Sequence, residues 1–399
     1  MKKETRFKFN AFLSQLAKLN NVDVGTLDKK FNVEPSVTQT LMTRLQESSE
    51  FLTRINIIPV DEMMGAKVGV GVTGTIASTT NTDAGDERET ADFTKLDQEG
   101  YHCTKTNYDF HWMYSKLDLW ARYNDFQTRL RDAIIKRQAL DRILVGFNGV
   151  SRAPTSNRVL NPLLQDVGVG WLQKYRLNAP TKVMGMIVAE DGTVTNEAVK
   201  VGGEGEYKNL DALVFDAVNE LIDPIYQDDT ELVVICGRKL LADKYFPLIN
   251  KQQPNTEAMA ADLIVSQKRI GNLPAVRVPG FPANAMLITR LDNLSIYWQE
   301  ETRRRSIIDN PKRDRIENLE SVNEAYVVED YDCTCLVENI ELLEQEPEKA
   351  PGEMSDAEIA RIAAVAASVV KSMTGDGSSA ASADTTQTSD AGDGSKGGA

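Results

Sequence analysis

The sequence predicts an α+β fold, in which helices and strands alternate without the regular spacing of βαβ units. Two segments, 36–50 and 116–147, carry apolar residues at steps of three and four, the period of an amphipathic helix. Residues 200–345 instead alternate short helical patterns with short β-rich runs. A chain of 399 residues can bury a sizeable core and would ordinarily form two or three domains.

The first clear unit is a helix that leads into a strand. Pro35 favours a helix start, and Glu34 or Ser36 can bond the free amides of the first turn. An apolar, β-branched run over 54–60 follows and contains Pro59, which a sheet tolerates at its edge. We therefore expect an edge strand directly after the helix.

A Gly-, Thr- and Ser-rich segment follows over 65–90, and a polar-to-aromatic strand is predicted over 100–114. Residues 65–112 contain strand formers but few large apolar residues before Phe93. Because an isolated hairpin is marginal in water, a hairpin of this composition needs a partner surface outside its own chain.

The longest predicted helix spans 116–147. Its apolar stripe consists of Leu119, Tyr123, Phe126, Leu130, Ala133 or Ile134, Leu140 and Leu144. Only Arg137 interrupts this stripe, and Gly146 and Gly149 are expected to end the helix. Further helices are predicted over 209–222, 236–245 and 256–261, and strands over 231–236, 274–278, 285–290, 293–298 and 325–328.

One glycine motif invites comparison with nucleotide-binding sites. Residues 69–74 read G-x-G-x-x-G, but a dinucleotide site needs a helix directly after the motif, so that its amides face the pyrophosphate. Residues 75–82 are β-branched and polar, which opposes a helix. We therefore interpret the glycines as part of a twisted strand and predict no cofactor.

The histidines and cysteines form no recognisable site. The set to consider as zinc ligands is His102, Cys103, Cys333 and Cys335. Its spacing matches no common zinc pattern, and the neighbours His102 and Cys103 point to opposite faces of a strand. The sequence also lacks a G-x-S-x-G elbow. We predict no catalytic residue, no metal site, and free thiols in a reducing cytoplasm.

The composition is acidic, with a net charge of −14, which argues against a general nucleic-acid-binding protein. Such a protein can still enclose DNA if its inner face is locally basic or the repulsion is screened. No uninterrupted apolar run reaches membrane-spanning length, and the N-terminus lacks the apolar stretch of a secretory signal.

The N-terminal residues 1–31 differ from the rest, because seven basic and three acidic residues give them a net charge of +4. Their apolar residues lie at helical spacing: Phe9, Phe12, Leu13, Leu16 and Leu19. A basic amphipathic helix can bind a membrane surface or a partner helix. It can equally be an ordinary helix packed on its own domain.

The C-terminus also differs in composition. An acidic linker is expected over 344–351, and a short helix over 355–370 carries one apolar stripe. Residues 374–399 are small and polar, so we expect them to be disordered. Whether the short helix docks on another surface or frays stays open.

A series of sequence blocks resembles one protein family. The blocks, in chain order, are ETRFKFN (4–10), KKF (29–31), residues 33–60, GVTGTIASTT (71–80), LDLWARYNDF (117–126), AIIKRQ (133–138), GFNGV (146–150), LQDVGVGWLQKYR (164–176), LLADKYFP (240–247), SQKRIGNLPAVRV (266–278) and YVVEDY (326–331). They resemble the major capsid proteins of P-two-like tailed bacteriophages. The likeness rests on number and order, spans roughly 1–340, and stops after about 345.

This resemblance implies the coat fold shared by tailed phages and herpesvirus capsid floors, and it contains no catalytic signature. The implied parts are a basic N-terminal assembly arm (1–31), the N-terminal arm of the mature protein (32–61), an extended β-hairpin loop (62–112), a peripheral domain (113–214) with a spine helix (116–147), an axial domain (215–305), a return to the peripheral domain (306–343), and a linker, short helix and tail (344–399).

The resemblance also implies a processing step. In related capsid proteins a basic N-terminal segment acts during assembly and is then removed by a phage protease. The junction of the family lies at the Lys-Lys-Phe block, so the candidate cut is between Phe31 and Asn32.

The densest basic run, Arg303, Arg304 and Arg305, is a candidate contact between subunits. It can meet phosphates of packaged DNA, or an acidic patch on an adjacent subunit, which we favour in an acidic chain.

The implied function is self-assembly into pentamers and hexamers of an icosahedral shell around phage double-stranded DNA, with no enzyme activity. The implied partners are an internal scaffolding protein, a maturation protease, a portal protein and DNA without sequence specificity. The implied location of the protein is the capsid of the virion, which is assembled in the host bacterial cytoplasm. Two alternatives stay open: the shell of a cellular nanocompartment and, more remotely, a nucleotide-binding oxidoreductase.

Overall fold

The computed structural model describes residues 1–67, 100–123, 125–188, 194–250 and 268–343, with short pieces at 71–72, 77, 79–84, 87–88, 90 and 94–95. Residues 1–344 form one compact unit, and the chain beyond them, with the predicted linker, short helix and tail, lies outside the described residues. The predicted helix over 256–261 lies outside them as well.

The helices of these residues are α1 (Lys3–Leu19), α2 (Pro35–Glu47), α3 (Glu50–Arg54), α4 (Tyr114–Trp120), α5 (Phe126–Asn148), α6 (Trp171–Asn178), α7 (Leu210–Leu221) and α8 (Arg238–Asn250).

The strands up to residue 201 are β1 (Phe31–Asn32), β2 (Asn56–Val60), β3 (Met64–Gly65), β4 (Gly71–Val72), β5 (Thr94–Lys95), β6 (Tyr101–His102), β7 (Thr104–Asn107), β8 (Phe110–Met113), β9 (Val183–Met184), β10 (Met186–Val188), β11 (Val194–Asn196) and β12 (Val199–Val201). The later strands are β13 (Val233–Cys236), β14 (Arg269–Ile270), β15 (Leu273–Arg277), β16 (Met286–Thr289), β17 (Leu294–Gln299), β18 (Arg304–Asn310), β19 (Arg315–Val328), β20 (Cys335–Val337) and β21 (Ile340–Leu342).

A seven-stranded sheet is built around the long strand β19. Its order is β1-β18-β19-β17-β2, and β7 and β8 pair with β19 as well. Strand β2 lies at one end of this order and pairs in parallel with β17, with Pro59 opposite Trp298. The predicted edge strand is confirmed, and its proline occupies a strand position that an edge permits.

A six-stranded sheet forms a second centre, with the order β14-β15-β13-β16-β20-β9. Strands β13 and β16 are buried at every position, and α7 and α8 contribute buried leucines to the same core. Asn209 caps α7 by accepting a hydrogen bond from the amide of Ala212 at 2.8 Å. A second apolar cluster unites α5, α6 and both sheets around Trp171.

Two domain boundaries expected from the sequence fall inside single elements. The boundary between 214 and 215 lies within α7, and the boundary between 305 and 306 lies within β18. Residues 294–299 form β17 of the seven-stranded sheet, although they were expected in the axial domain. The chain would therefore pass between the expected parts within a helix and within a strand, and the domain bounds stay predictions.

The segment expected to form the extended loop is described only in part. β3 pairs with β6, and β4 pairs with β5, both antiparallel and in the same register. Residues 69–74, apart from Gly71 and Val72, lie outside the described part of the chain. Those two residues belong to strand β4, as the strand interpretation of the glycine motif requires.

The prediction of one long helix over 116–147 is wrong in one respect, because the segment forms two helices. Helix α4 ends at Trp120, and α5 begins at Phe126 with Asp125 as its first flanking residue. Asp125 forms an ion pair with Arg129 at 2.7 Å. The side chain of Asp125 makes no capping hydrogen bond to the first turn of α5 and pairs with Arg129 instead.

The buried face of α5 also differs from the predicted stripe. Leu119, Tyr123 and Leu140 are exposed, whereas Phe126 and Leu130 are buried as expected. The remaining buried positions of α5 include two polar residues, and they are Ile135, Gln138, Ala139, Arg142, Ile143, Val145, Gly146 and Phe147. Gln138 and Arg142 interrupt the apolar pattern on the buried side. The predicted apolar stripe is therefore on the wrong side of the second half of α5.

Gly146 does not end α5, which continues to Asn148. A Cβ atom at position 146 would lie 2.2 Å from Cζ3 of Trp171, so glycine is needed for the two helices to approach. Trp171 is fully buried, and its Nε1 donates a hydrogen bond to the carbonyl of Ser295 at 3.0 Å.

Candidate functional site

The basic N-terminal segment forms a helix that packs on the body of the protein. In α1, Phe9, Leu16 and Ala17 are buried in a cluster with Trp112 and Leu130. Of the two interpretations left open by the sequence, the structure therefore has the helix packed on its own chain. Phe7 and Leu19 of the same helix remain exposed.

Polar contacts hold the same helix at its N-terminal end. Arg6 forms an ion pair with Asp309 at 2.6 Å, and the backbone amide of Lys2 donates to Asp118 at 2.8 Å. Burial would raise the pKa of Asp309, but hydrogen bonds from Tyr114 and Arg6 outweigh it and lower that pKa. These contacts bind the basic segment to the acidic body through few, mostly exposed charges.

The candidate processing junction lies in a strand. Phe31 and Asn32 form β1, which pairs antiparallel with β18, with Phe31 opposite Arg305. On either side, the amide of Val33 donates to the carbonyl of Arg303 at 2.9 Å, and the amide of Ile307 donates to the carbonyl of Leu27 at 2.8 Å. In the sequence, residues 24–32 read as a short polar connector, but the backbone at 31–33 is engaged in a sheet.

The three consecutive arginines do not form one surface cluster. Arg303 is 1% exposed, and its Nε donates to Glu320 of the same chain at 2.8 Å. Arg304 is exposed. Arg305 is half-buried, and its Nε donates to Asn318 Oδ1 at 2.6 Å. A contact to another subunit or to DNA is therefore incompatible with the buried position of Arg303 and stays a proposal for Arg304 and Arg305.

A buried ion pair and a buried hydrogen bond connect α5 to the long strand β19. Arg142 pairs with Glu324, which also accepts a hydrogen bond from Tyr108 at 2.7 Å. Gln138 donates to Glu320 Oε2 at 3.2 Å, next to the Arg303–Glu320 pair. All of these side chains are buried, so the helix and strand are joined by a polar network within the core.

The electrostatics of this network are balanced by neighbouring charges. Burial would raise the pKa of Glu320, but the guanidinium groups of Arg303 and Arg305 outweigh burial and lower the pKa. Burial would lower the pKa of Arg142, but the carboxylate of Glu324 keeps it above the usual value. The Glu320 carboxylate is thus held ionised in the core.

Sequence reasoning missed this network, although a signal exists. Gln138 and Arg142 are four residues apart in a helix, and Glu320 and Glu324 are four residues apart in a strand. Both spacings place the pair on one face of its element. Two polar pairs on otherwise apolar faces would have predicted an interaction between α5 and β19.

The four cysteines are free and buried. Burial raises the pKa of Cys103 and of Cys236 to about 11, and that of Cys333 to about 12. Within the described residues, no group of three or more His, Cys, Asp or Glu side chains is placed to hold a metal ion. No helix among those residues has the length and apolar character needed to cross a membrane.

Comparison with known proteins shows the relationship over nearly the whole body of the chain. The family model for the phage major capsid protein of the P2 family matches residues 8–340. The capsid protein of Escherichia phage P2 is 62% identical over 354 residues, which cover 88% of this chain and 99% of that protein. The major capsid protein of Serratia phage KSP20 is 40% identical over 349 residues, which cover 87% of this chain and 99% of that protein.

A solved structure agrees with these relatives. A chain of the satellite phage P4 procapsid, determined with the size determination (Sid) protein, is 60% identical and superposes with a TM-score of 0.71. The match covers 87% of this chain and 100% of that chain. The family match ends at residue 340, close to where the sequence blocks stop.

Proposed function

Because the chain belongs to the P2 family of phage major capsid proteins, we propose that its copies assemble with an internal scaffolding protein into an icosahedral shell that later encloses phage double-stranded DNA. The observation that carries the proposal is 62% identity along 99% of a phage capsid protein. A structural likeness to a chain of a procapsid supports the same role.

Assembly needs binding surfaces in place of catalytic groups. The antiparallel pairs β3–β6 and β4–β5 support an extended hairpin over 62–112, which would reach a neighbouring subunit. Pentamers and hexamers would form around the axial part, and heterologous contacts between copies would close the shell. The same sequence would then occupy slightly different environments at the fivefold and sixfold positions.

The partners proposed for the inner face act at different times. The basic arm 1–31 would hold an acidic scaffolding protein until a maturation protease cuts between Phe31 and Asn32. Removal of a segment with a net charge of +4 would leave the inner face more acidic, so that DNA adheres less during packaging. A portal protein would occupy one vertex. Assembly would take place in the host bacterial cytoplasm.

The alternatives receive no specific support. Membership of a phage capsid family favours a phage shell over a cellular nanocompartment, in which no basic arm would be removed. The nucleotide-binding oxidoreductase rested on residues 69–74 alone.

The test is expression of the chain with and without the neighbouring phage genes, followed by electron microscopy and sedimentation. Closed shells of uniform size are expected when the scaffolding protein is present. Soluble monomers under every condition would contradict the proposal. The intact mass of the shell protein then separates a processed phage coat from an unprocessed compartment shell.

A further inference from the structure

An apolar groove of about 260 Å³ lies between α1, α2 and α5. Its apolar walls come from all three helices, through Phe12, Leu16, Leu19, Val37, Leu41 and Ile134. The wall formed by α1 belongs to the arm 1–31, whereas the other two walls belong to the body. The groove is therefore complete only while the arm is attached.

One end of the groove carries a guanidinium that donates its hydrogen bond to an amide oxygen and not to a carboxylate. Arg305 lines the groove, is half-buried, and donates its Nε hydrogen bond to Asn318. The nearby carboxylate of Glu320 is held by Arg303 and Gln138. Among the side chains that the structure describes, Arg305 forms no direct ion pair, although its charge helps to lower the pKa of Glu320. Burial lowers the pKa of Arg305 itself. A carboxylate that reached this end of the groove would form a charge-assisted hydrogen bond.

We propose that this groove binds an amphipathic helix of the internal scaffolding protein, with apolar side chains between the three helices and an Asp or Glu on Arg305. The proposal rests on the proposed function, since it requires a scaffolding protein. The volume is below the range of about 300–1,000 Å³ typical of small-molecule pockets, and an apolar groove between helices suits a helix face.

The choice of partner follows from charge and from the composite wall. The arm has a net charge of +4 and Arg305 adds a further positive charge, so an acidic helix fits better than a basic one. If the occupant were a second copy of this chain, the groove would have to persist in the finished shell. Removal of residues 1–31 takes away one wall, and Phe31, opposite Arg305, leaves with it. Cleavage would thus release this partner.

The test compares matched variants in procapsids made from the full-length chain and the scaffolding protein of the same phage. Arg305→Gln removes the charge and retains an N–H for Asn318, whereas Arg304→Gln removes the exposed neighbouring charge. We expect Arg305→Gln to weaken scaffold affinity on the order of tenfold and to lower the scaffold-to-coat ratio. Arg304→Gln should leave that ratio at the wild-type level. Equal ratios in the two variants would overturn the proposal.

A second pair of variants applies if Arg305→Gln does not fold. Leu19 and Phe7 are both exposed on α1, but only Leu19 lines the groove. Leu19→Gln should lower the scaffold content, whereas Phe7→Gln should not. The opposite ranking would overturn the proposal.

A photo-crosslinking residue at position 19 identifies the occupant directly. A crosslink to the scaffolding protein is expected, and its loss in mature particles should accompany removal of the arm. A crosslink to another coat subunit, or to neither protein, would overturn the proposal. If wild-type protein forms no shells with its scaffolding protein, the proposed function fails and this inference fails with it.

Discussion

Phe31 lies directly opposite Arg305 in the antiparallel pair of β1 and β18, so the peptide bond expected to be cut is held in a sheet. Proteases bind the segment that they cut, and a strand engaged in a sheet cannot enter a cleft at the same time. Leu27, four residues before Phe31, is 2% exposed and helps to hold the segment in place. Cleavage at this bond would therefore require β1 to separate from β18.

The first prediction concerns this separation. Coat protein from infectious particles should begin at Asn32, as N-terminal analysis or intact mass would show. Leu27→Ala should speed cleavage by the phage protease, because it loosens the segment without changing the junction. Val24→Ala, at an exposed position of the same segment, should not. Chains that begin at Met1 in infectious particles would contradict the cleavage, and equal rates for both variants would contradict the requirement for separation.

The second prediction concerns the buried face of α5. Leu130 is fully buried, so Leu130→Asp should lower the free energy of unfolding by more than about 3 kcal/mol. Leu140→Asp, on the same helix but 38% exposed, should cost less than about 1 kcal/mol. Urea unfolding of the isolated subunits measures both. Similar losses for the two variants would place the buried face elsewhere.

The third prediction concerns the approach of α5 to Trp171. Alanine favours a helix over glycine by about 1 kcal/mol, but the added Cβ of Gly146→Ala would lie 2.2 Å from Trp171. Overpacking of this kind costs about 1–3 kcal/mol, so the melting temperature should fall. Gly25→Ala is the control, because its nearest neighbour would lie 3.5 Å away. A rise in melting temperature for Gly146→Ala would show that the helices can separate at no cost.

The fourth prediction concerns pH. The folded pKa of Glu320 lies below its ordinary value of 4.5, so its ion pair contributes full stability above about pH 4.5. That contribution should be lost as the pH falls from 4.5 through the lower folded pKa. Glu320→Gln should be less stable at pH 7 by about 3–5 kcal/mol, because it leaves Arg303 buried and unpaired.

The same variant should lose less stability on acidification than the wild type. Glu47→Gln, at an exposed position, serves as the control. The test is the free energy of unfolding of each protein at pH 7 and at pH 4. An equal decrease between these pH values in the wild type and in Glu320→Gln would exclude Glu320 as the acid-sensitive group.

Much of the fold was predictable from the sequence. The coat fold inferred from the ordered blocks is confirmed by the TM-score of 0.71 to a P4 procapsid chain. Helix α7 and strands β13, β15 and β17 lie within two residues of their predicted bounds, because each has a strong apolar pattern between clear turn residues. The break between α4 and α5 was missed because the apolar stripe continues through it, and tertiary packing determines where it bends.

The candidate site was less predictable. Arg303 looked like part of a surface charge run, because its partner Glu320 lies on another strand and a run of charges is usually exposed. The junction at Phe31 looked like a connector, because β1 has only two residues and its pairing depends on β18, far along the chain. Contacts between distant segments leave little local signal.

The most direct test of the central claim is a cryo-electron microscopy reconstruction of procapsids purified from cells that express this chain with the neighbouring phage genes. We expect an icosahedral lattice in which residues 1–344 repeat at the fivefold and sixfold positions, with α1 still packed on the body. A shell built from another protein, or particles without this chain in the lattice, would contradict it.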